Sequence, residues 1–359
     1  MSARYRLIAS GELDAALTND WRAIQAKSER FTSPYFCPEF TQLVGKVRDD
    51  VRVVLIENDG RIAGFFPHQR SFLGMGKPVG GPLSDYHGVI AAPGSEWEVE
   101  PLMRAAKLSV WSFNHLVCET RKFEPHIEAR TASPQMDLSA GYAQYVKGRR
   151  EAGSDYVKKT EGLARKLGRE FGELRFTLHE SGSEALQQLI RWKSAQYRDS
   201  HLPDVFARTW TYDLLNRITE TQTDSFAGVC SVLRAGDRIV AVHMGMRSTN
   251  VLHYWYPAYE PEFAKFSTGI ILLLRMAEAL ASRGVRTIDL GEGMSQYKQR
   301  LMTGEAALLK GAVELPSLLA SARRMQRFAE AQAARTVVPA IFRLPLRAIR
   351  RVERILKFR

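Results

Sequence analysis

Three cysteines in 359 residues, Cys37, Cys118 and Cys230, are too few and too scattered for a disulfide framework or a thiolate metal site. They read as buried thiols, and no metal is expected. Long apolar runs are also missing. The longest, Ile270 to Leu274, is five residues where a bilayer needs about 20. The first residues lack the apolar stretch of an export signal, so the chain is expected to remain in the cytoplasm. Acid is in deficit, with 39 Asp and Glu against 51 Lys and Arg. Nine of the twelve excess positive charges lie after Ser321, where eleven basic residues face only Glu330 and Glu353. Interleaved Ile341, Phe342, Leu346, Ile349, Ile355 and Phe358, with a break at Pro345, make this stretch a basic amphipathic tail. Such a tail can rest on an anionic leaflet at the inner face of a membrane, or dock on its own protein. It offers no stacking platform beyond its few Phe, which disfavours a nucleic-acid partner.

What is present begins with a helix. From Phe266 to Arg283 the chain reads FSTGIILLLRMAEALASR, without an acid in its first two turns. Helix-opening amides lack internal partners and carry partial positive charge, so small residues there let an anion reach bare backbone. Lys265 stands just upstream. Ile270, Leu273, Leu274, Ala277 and Leu280 keep helical spacing, with Arg275, Glu278 and Ser282 on the other side, so one face should pack on a sheet. An amphipathic core helix with a Ser cap accounts for the same pattern without any ligand. Before it, Val229 to Arg234, Arg238 to Arg247 and Val251 to Pro257 read as antiparallel strands joined by tight polar turns. After it, Gly284 closes the helix, VRTIDL forms a buried strand, and Gly291-Glu292-Gly293 leads into a further helix near Tyr297.

Three strands, a glycine-opened helix, a strand and a last helix follow the order of the GNAT acyltransferase core. The segment from Asp137 to Gly304 resembles the FemAB-like branch of that superfamily, and specifically the CelD-like proteins of cellulose and surface-polysaccharide biosynthesis. RIVAVHMGM, LHYWYPAYEPEFAKFSTG and IDLGEGMSQYKQR carry the resemblance, with support from SPYFCPEF and PVGGPLSDYHGV in the first half. The resemblance implies an acyl-CoA donor, with acetyl-CoA the simplest, and a sugar or lipid-linked acceptor. In the alternative FemAB chemistry the donor is aminoacyl-tRNA, and a non-catalytic accessory of a polysaccharide synthase is a third reading.

The chain also repeats itself. GRIAGFFPHQRS from Gly60 lies over DRIVAVHMGMRS from Asp237, matching Arg61 with Arg238, Ile62 with Ile239 and Arg70 with Arg247. The expected fold is therefore α/β (α+β): tandem GNAT-like domains with mixed, mostly antiparallel central sheets flanked by helices. The expected domains are 1–136, 137–315 and a tail, 316–359. In the first copy the matching helix opens with Glu96, Glu98 and Glu100, which would repel a pyrophosphate, so the donor seat is assigned to the second. Between the copies, Gly141 to Gly172 is basic and helical, with a Glu161–Arg165 pair expected across one turn. Its cations suit an anionic acceptor or simply a solvated helix face. The helix after Gly182, with Leu186, Leu189, Ile190 and Lys193 on one side, reads as scaffold.

Acyl transfer needs a base for the acceptor, hydrogen bonds to the thioester oxygen and neutralisation of the leaving thiolate. Strand alternation puts His243 among small residues, where it can act as base or be a satisfied core histidine. His253 is a weaker candidate. Glu292, between two glycines at a strand end, is a candidate carboxylate, or else caps the next helix. The superfamily often uses a tyrosine at the position of Tyr297 to protonate the thiolate, which implies the same role here. Tyr254, Trp255 and Tyr256 are expected to line the donor, with Tyr254 and Tyr256 facing opposite to Trp255, and Lys265, Ser267, Thr268 and Gly269 are expected to hold its diphosphate. Asp85, Tyr86, His87 and Lys298 are expected to meet the acceptor. Asp289 should orient the loop.

Overall fold

The computed structural model describes residues 3–71, 73–117, 121–317 and 321. The expected amphipathic tail and Cys118 lie outside the described residues. In chain order the first elements are β1 (Arg4–Ala9), α1 (Ala15–Gln25), α2 (Pro38–Gly45), β2 (Val51–Asn58), β3 (Arg61–Arg70), β4 (Met75–Lys77) and β5 (Ile90–Ala91). Next come α3 (Val99–Ala105), β6 (Val110–Leu116), β7 (Ile127–Asp137), α4 (Tyr142–Glu151), α5 (Tyr156–Phe171), β8 (Leu174–Thr177), α6 (Ser183–Asp199) and α7 (Thr209–Glu220). The chain continues with β9 (Phe226–Ala235), β10 (Arg238–Ser248), β11 (Val251–Tyr259), α8 (Thr268–Ala281), β12 (Thr287–Asp289), α9 (Gln296–Leu301) and β13 (Gly304–Glu314).

These elements form two compact units, one from residues 1–28, 44–130 and 309 onward, the other from 29–43 and 131–308. In the first, β1, β2 and β3 are antiparallel, β3 also pairs with β4 and β5, and β6 lies parallel to β4. Residues Leu309–Glu314 of β13 close the far side of β6 in antiparallel register. In the second, β8 to β11 are antiparallel neighbours, β12 lies parallel to β11, and the end of β7 closes the far side of β12. Each unit thus builds a mixed, mostly antiparallel sheet with a single parallel junction.

The repeat seen in the sequence reaches the backbone. In the β2–β3 hairpin the register slips so that Ala63 is extra; in β9–β10 the extra residue is Val240. Counting from Arg61 and Arg238, the two bulges fall at the same position. A bulge adds local twist, so each unit bends its hairpin at the same point.

Burial explains which patterns the sequence carried. Strand β10 is buried along nearly its whole length because helices cover both sheet faces, so its residues read as one apolar run. Edge strand β8, LRFT, alternates half-buried and exposed. Helix α8 buries eight of its fourteen residues against β9 to β11 and α5. Arg275 on its outer stripe grips Glu161 of α5 through two bonds of 2.8 Å. That replaces the expected Glu161–Arg165 pair: α5 turns Glu161 towards α8, and a bidentate tertiary partner outcompetes a flexible neighbour on the same helix. The basic segment from Gly141 is helical as expected, in two helices, α4 and α5, separated at Gly153, whose φ of 78° is left-handed.

Candidate functional site

Strands β11 and β12 pair only at Val251 with Thr287, Leu252 with Ile288 and His253 with Asp289. Past that point β11 runs on to Tyr259, and its Tyr254–Tyr259 edge has no strand partner on that side among the described residues. The parting has a chemical cause. Buried Asp289 accepts from Ser133 Oγ (2.6 Å), Gln135 Nε2 (3.1 Å) and the amide of Gly291 (2.9 Å). Pulling Gly291 back onto Asp289 curls the chain away from β11. His253, fully buried, sets Nδ1 3.3 Å from the same carboxylate and lies edge-on to Tyr35. Asp289 therefore orients the loop, and His253 is one of its supports.

Helix α8 begins beside this opening. Ser267 precedes it at φ 55°, ψ 44°, a left-handed geometry uncommon for a residue with a side chain, and its hydroxyl does not cap the helix. The Ser267 carbonyl takes the amides of Ile270 and Ile271 at 2.9 and 3.1 Å. Among the described residues, no group accepts from the amides of Thr268 and Gly269. The first turn carries no acid. Thr268 is fully buried with its hydroxyl unpartnered, Gly269 is half-buried, and Lys265 is exposed with Nζ 4.9 Å from the Phe266 ring centroid. An oxyanion at this point would meet two unspent N–H donors and a nearby ammonium.

A bulge aims the aromatic side chains. Met244 pairs with Tyr256 and Met246 with His253, so Gly245 alone opposes Tyr254 and Trp255. A Cβ on Gly245 would lie 2.4 Å from the His253 carbonyl oxygen and 2.6 Å from His243 Cε1, so only glycine fits. The extra residue lets Tyr254 lie flat on His243, with centroids 4.5 Å apart and planes within 6°. The Tyr254 hydroxyl then reaches the Gly269 carbonyl at 3.4 Å. His243 is fully buried and neither ring nitrogen has a hydrogen-bond partner among the described residues. Burial first, then His253 and Lys193, hold its imidazole well below the usual histidine range, so it is neutral at physiological pH. Tyr297 on α9 is near enough for its charge state to act on Tyr254, and burial pushes its phenol up to about 12.

The structure brings His243, Tyr254, Tyr297 and the head of α8 into one region. Trp255 turns towards Tyr35, 5.8 Å between centroids. Tyr256 breaks the expected alternation: its ring stacks on Trp255 and meets Phe206, because the bulge interrupts the period of two. Glu292 is half-buried between Gly291 and Gly293, both at positive φ. Lys298, expected to meet the acceptor, donates to the carbonyls of Gly291 and Glu292 at 2.9 and 3.0 Å, bracing that loop instead. Asp85, Tyr86 and His87 belong to the first unit. The His87 Nε2 accepts the amides of Asn114 and His115 at 3.2 Å, and burial holds the ring well below its usual pKa. His87 is a core staple there, not an open wall residue. Glu98 and Glu100 are tied to Lys122 and Arg104, so in that unit the corresponding helix opening is filled by acid–base pairs.

Residues 155–299, which hold the parting strands and the head of α8, match the family model of an acetyltransferase (GNAT) domain. The second unit has a GNAT-like fold. At the level of fold, the chain is similar to FemX (8% identity, 82% of this chain and 94% of that one, TM-score 0.51). It is similar also to a tandem GNAT protein from the clavulanic acid biosynthesis pathway (9% identity, 88% and 100%, TM-score 0.50). A third likeness is to the C-terminal DUF2156 domain assigned to a lysylphosphatidylglycerol synthetase from Agrobacterium fabrum (11% identity, 80% and 90%, TM-score 0.50). No curated protein sequence matches the chain. Among the described residues, no His, Cys, Asp and Glu cluster is placed to hold a metal, and no helix is long and apolar enough to cross a membrane.

One residue of the second unit looked like scaffold in the sequence. Lys193 on α6, which packs on β10 and β11, has its ammonium desolvated to a pKa of about 8. Its one hydrogen-bond partner among the described residues is Gln196 Oε1, at 3.1 Å. Helical spacing identified the buried stripe, but not that a lysine would occupy its edge.

Proposed function

We propose that the GNAT domain transfers an acyl group, most simply acetyl, from coenzyme A to an amine or hydroxyl of a sugar or lipid-linked precursor in cellulose, exopolysaccharide or envelope synthesis. The observation that carries the donor half is the pair of unspent amides at Thr268 and Gly269, beside the unpaired edge of β11. These amides and Lys265 fit a diphosphate; the Tyr254–Tyr259 edge offers main-chain groups to a pantetheine arm and to the thioester oxygen. The acceptor half rests on the resemblance to CelD-like proteins.

In this reading the acceptor nitrogen or oxygen attacks the thioester carbonyl and passes its proton to neutral His243, with Glu292 as the second candidate base. The C–S bond then breaks and the thiolate departs towards Tyr297. A phenol near 12 facing a thiol of about 8.5 makes complete proton transfer uphill by about 5 kcal/mol, so Tyr297 donates a hydrogen bond and keeps its proton. Calorimetry with acetyl-CoA, followed by mass spectrometry of free thiol and acylated products from envelope precursors, tests the proposal. Failure to bind acyl-CoA, together with a steeply salt-dependent affinity for tRNA, would replace it with the aminoacyl-tRNA reading. Binding without turnover on any precursor would favour the accessory role.

A further inference from the structure

The C-terminal end of α8 borders a cavity of about 250 Å³. Leu280, which lines it, is twelve residues along the helix from Thr268 at the other end, about 18 Å at 1.5 Å per residue. Its polar wall is His179, Gln222, Asp224, Arg247, Thr249 and Arg283, over an apolar floor that includes Leu280 and Val285.

Hydrogen-bond accounting fixes what this wall offers. His179 Nδ1 accepts the Cys230 amide at 3.2 Å, so the neutral ring carries its proton on Nε2. Among the described residues, Nε2 has one polar atom within hydrogen-bond distance, Gln222 Nε2 at 3.4 Å. That nitrogen already donates to the carbonyls of Thr219 (3.1 Å) and Gly228 (2.8 Å), which uses both its hydrogens and fixes the amide's orientation. A carboxamide nitrogen has no lone pair to give, so the His179 N–H is left without an acceptor. Burial lowers the His179 pKa, which favours the neutral ring, and the bond from the Cys230 amide selects its tautomer. Arg247 bonds only main-chain carbonyls, those of Asp224 (3.2 Å), Thr223 (3.3 Å) and Ser248 (3.4 Å), which hold its guanidinium in place without neutralising it. The Arg283 guanidinium has no hydrogen bond or ion pair among the described residues; only its amide is engaged, with the Leu280 carbonyl. Asp224 is the one carboxylate on the wall, and its side chain bonds neither arginine. Two cations, one acid and an unaccepted N–H leave room for one negative charge.

We infer that this cavity is a second ligand site, taking a small molecule through a single oxyanion group, carboxylate or phosphate, gripped by Arg247 and Arg283 and hydrogen-bonded by His179 Nε2–H. The apolar floor receives the remainder of the molecule. Two guanidiniums and a ring N–H match the flat or tetrahedral oxygens of such a group, whereas spherical chloride would use fewer of them.

The test is a titration of the full chain, labelled with 15N in its histidine rings, with acetate and with inorganic phosphate at constant ionic strength set by chloride. The expected result is a saturable shift of the His179 Nε2 resonance by one or both anions. Arg283→Ala is expected to weaken it about tenfold, and Arg283→Lys to weaken it less. Response to acetate alone assigns a carboxylate ligand, and to phosphate alone a phosphorylated one. No saturable shift, or unchanged affinity in Arg283→Ala, overturns the inference. Because Arg283 is distant from the head of α8, acetyl-CoA binding should be the same in both variants.

Discussion

Replacing Gly269 by glutamate separates folding from donor binding. A Cβ at Gly269 would meet nothing closer than the Tyr259 ring at 3.4 Å, an ordinary contact. The helix favours the change: glycine is the weaker helix former by up to about 1 kcal/mol, and an acid in the first turn gains about 0.3–1 kcal/mol from the macrodipole. The melting temperature should therefore hold or rise. A bound diphosphate would instead face a new negative charge at about 6 Å. Two phosphate charges repel it by about 1.4 kcal/mol at the dielectric of water and about 5.5 kcal/mol at an effective value of 20. Gly269 is half-buried, so acetyl-CoA affinity should fall about 10- to 1,000-fold by calorimetry, while Gly269→Ala stays near wild type. If Gly269→Glu melts normally and still binds acetyl-CoA as wild type, the diphosphate does not sit at the head of α8.

Tyr297→Phe should leave donor affinity unchanged and lower kcat about 10- to 100-fold, the loss of one hydrogen bond made in the transition state; steady-state kinetics would show a changed KM instead if Tyr297 only packs. Lys193 sets a pH dependence of stability. Its folded pKa of about 8 lies below the ordinary 10.5, so the penalty of burying its charge is complete below pH 8 and is relieved as pH rises towards 10.5. Lys193→Met should add up to about 3 kcal/mol at pH 7 and flatten that rise, measured by urea unfolding across the range. Arg275→Ala breaks a half-buried bidentate pair with Glu161 and should cost about 1–3 kcal/mol, with Glu161→Gln costing less. Equal, near-zero effects in chemical denaturation would mean the pair is no better than an exposed one.

Local periodicity and turn chemistry were enough to place β9 to β12, α8 and the loop at Glu292, because each is punctuated by glycine or a polar turn and each apolar run is short. The order of those elements carried the fold, and the internal repeat anticipated that the first unit follows the same order. The acid-free opening of α8 was likewise legible, since backbone amides need no side chain to announce them. Other features depend on partners distant in sequence. Glu161 chose Arg275 over Arg165, His87 became a staple for two amides, Lys298 turned to its own loop, and Tyr256 left the alternation at the bulge opposite Gly245. The same holds for the unaccepted N–H of His179, which exists only because Cys230 and Gln222 arrive from other strands and loops. Sequence fixed what each short segment could be, through backbone sterics and apolar period; the packed sheet alone decided which polar atoms were satisfied and which were left to meet a ligand.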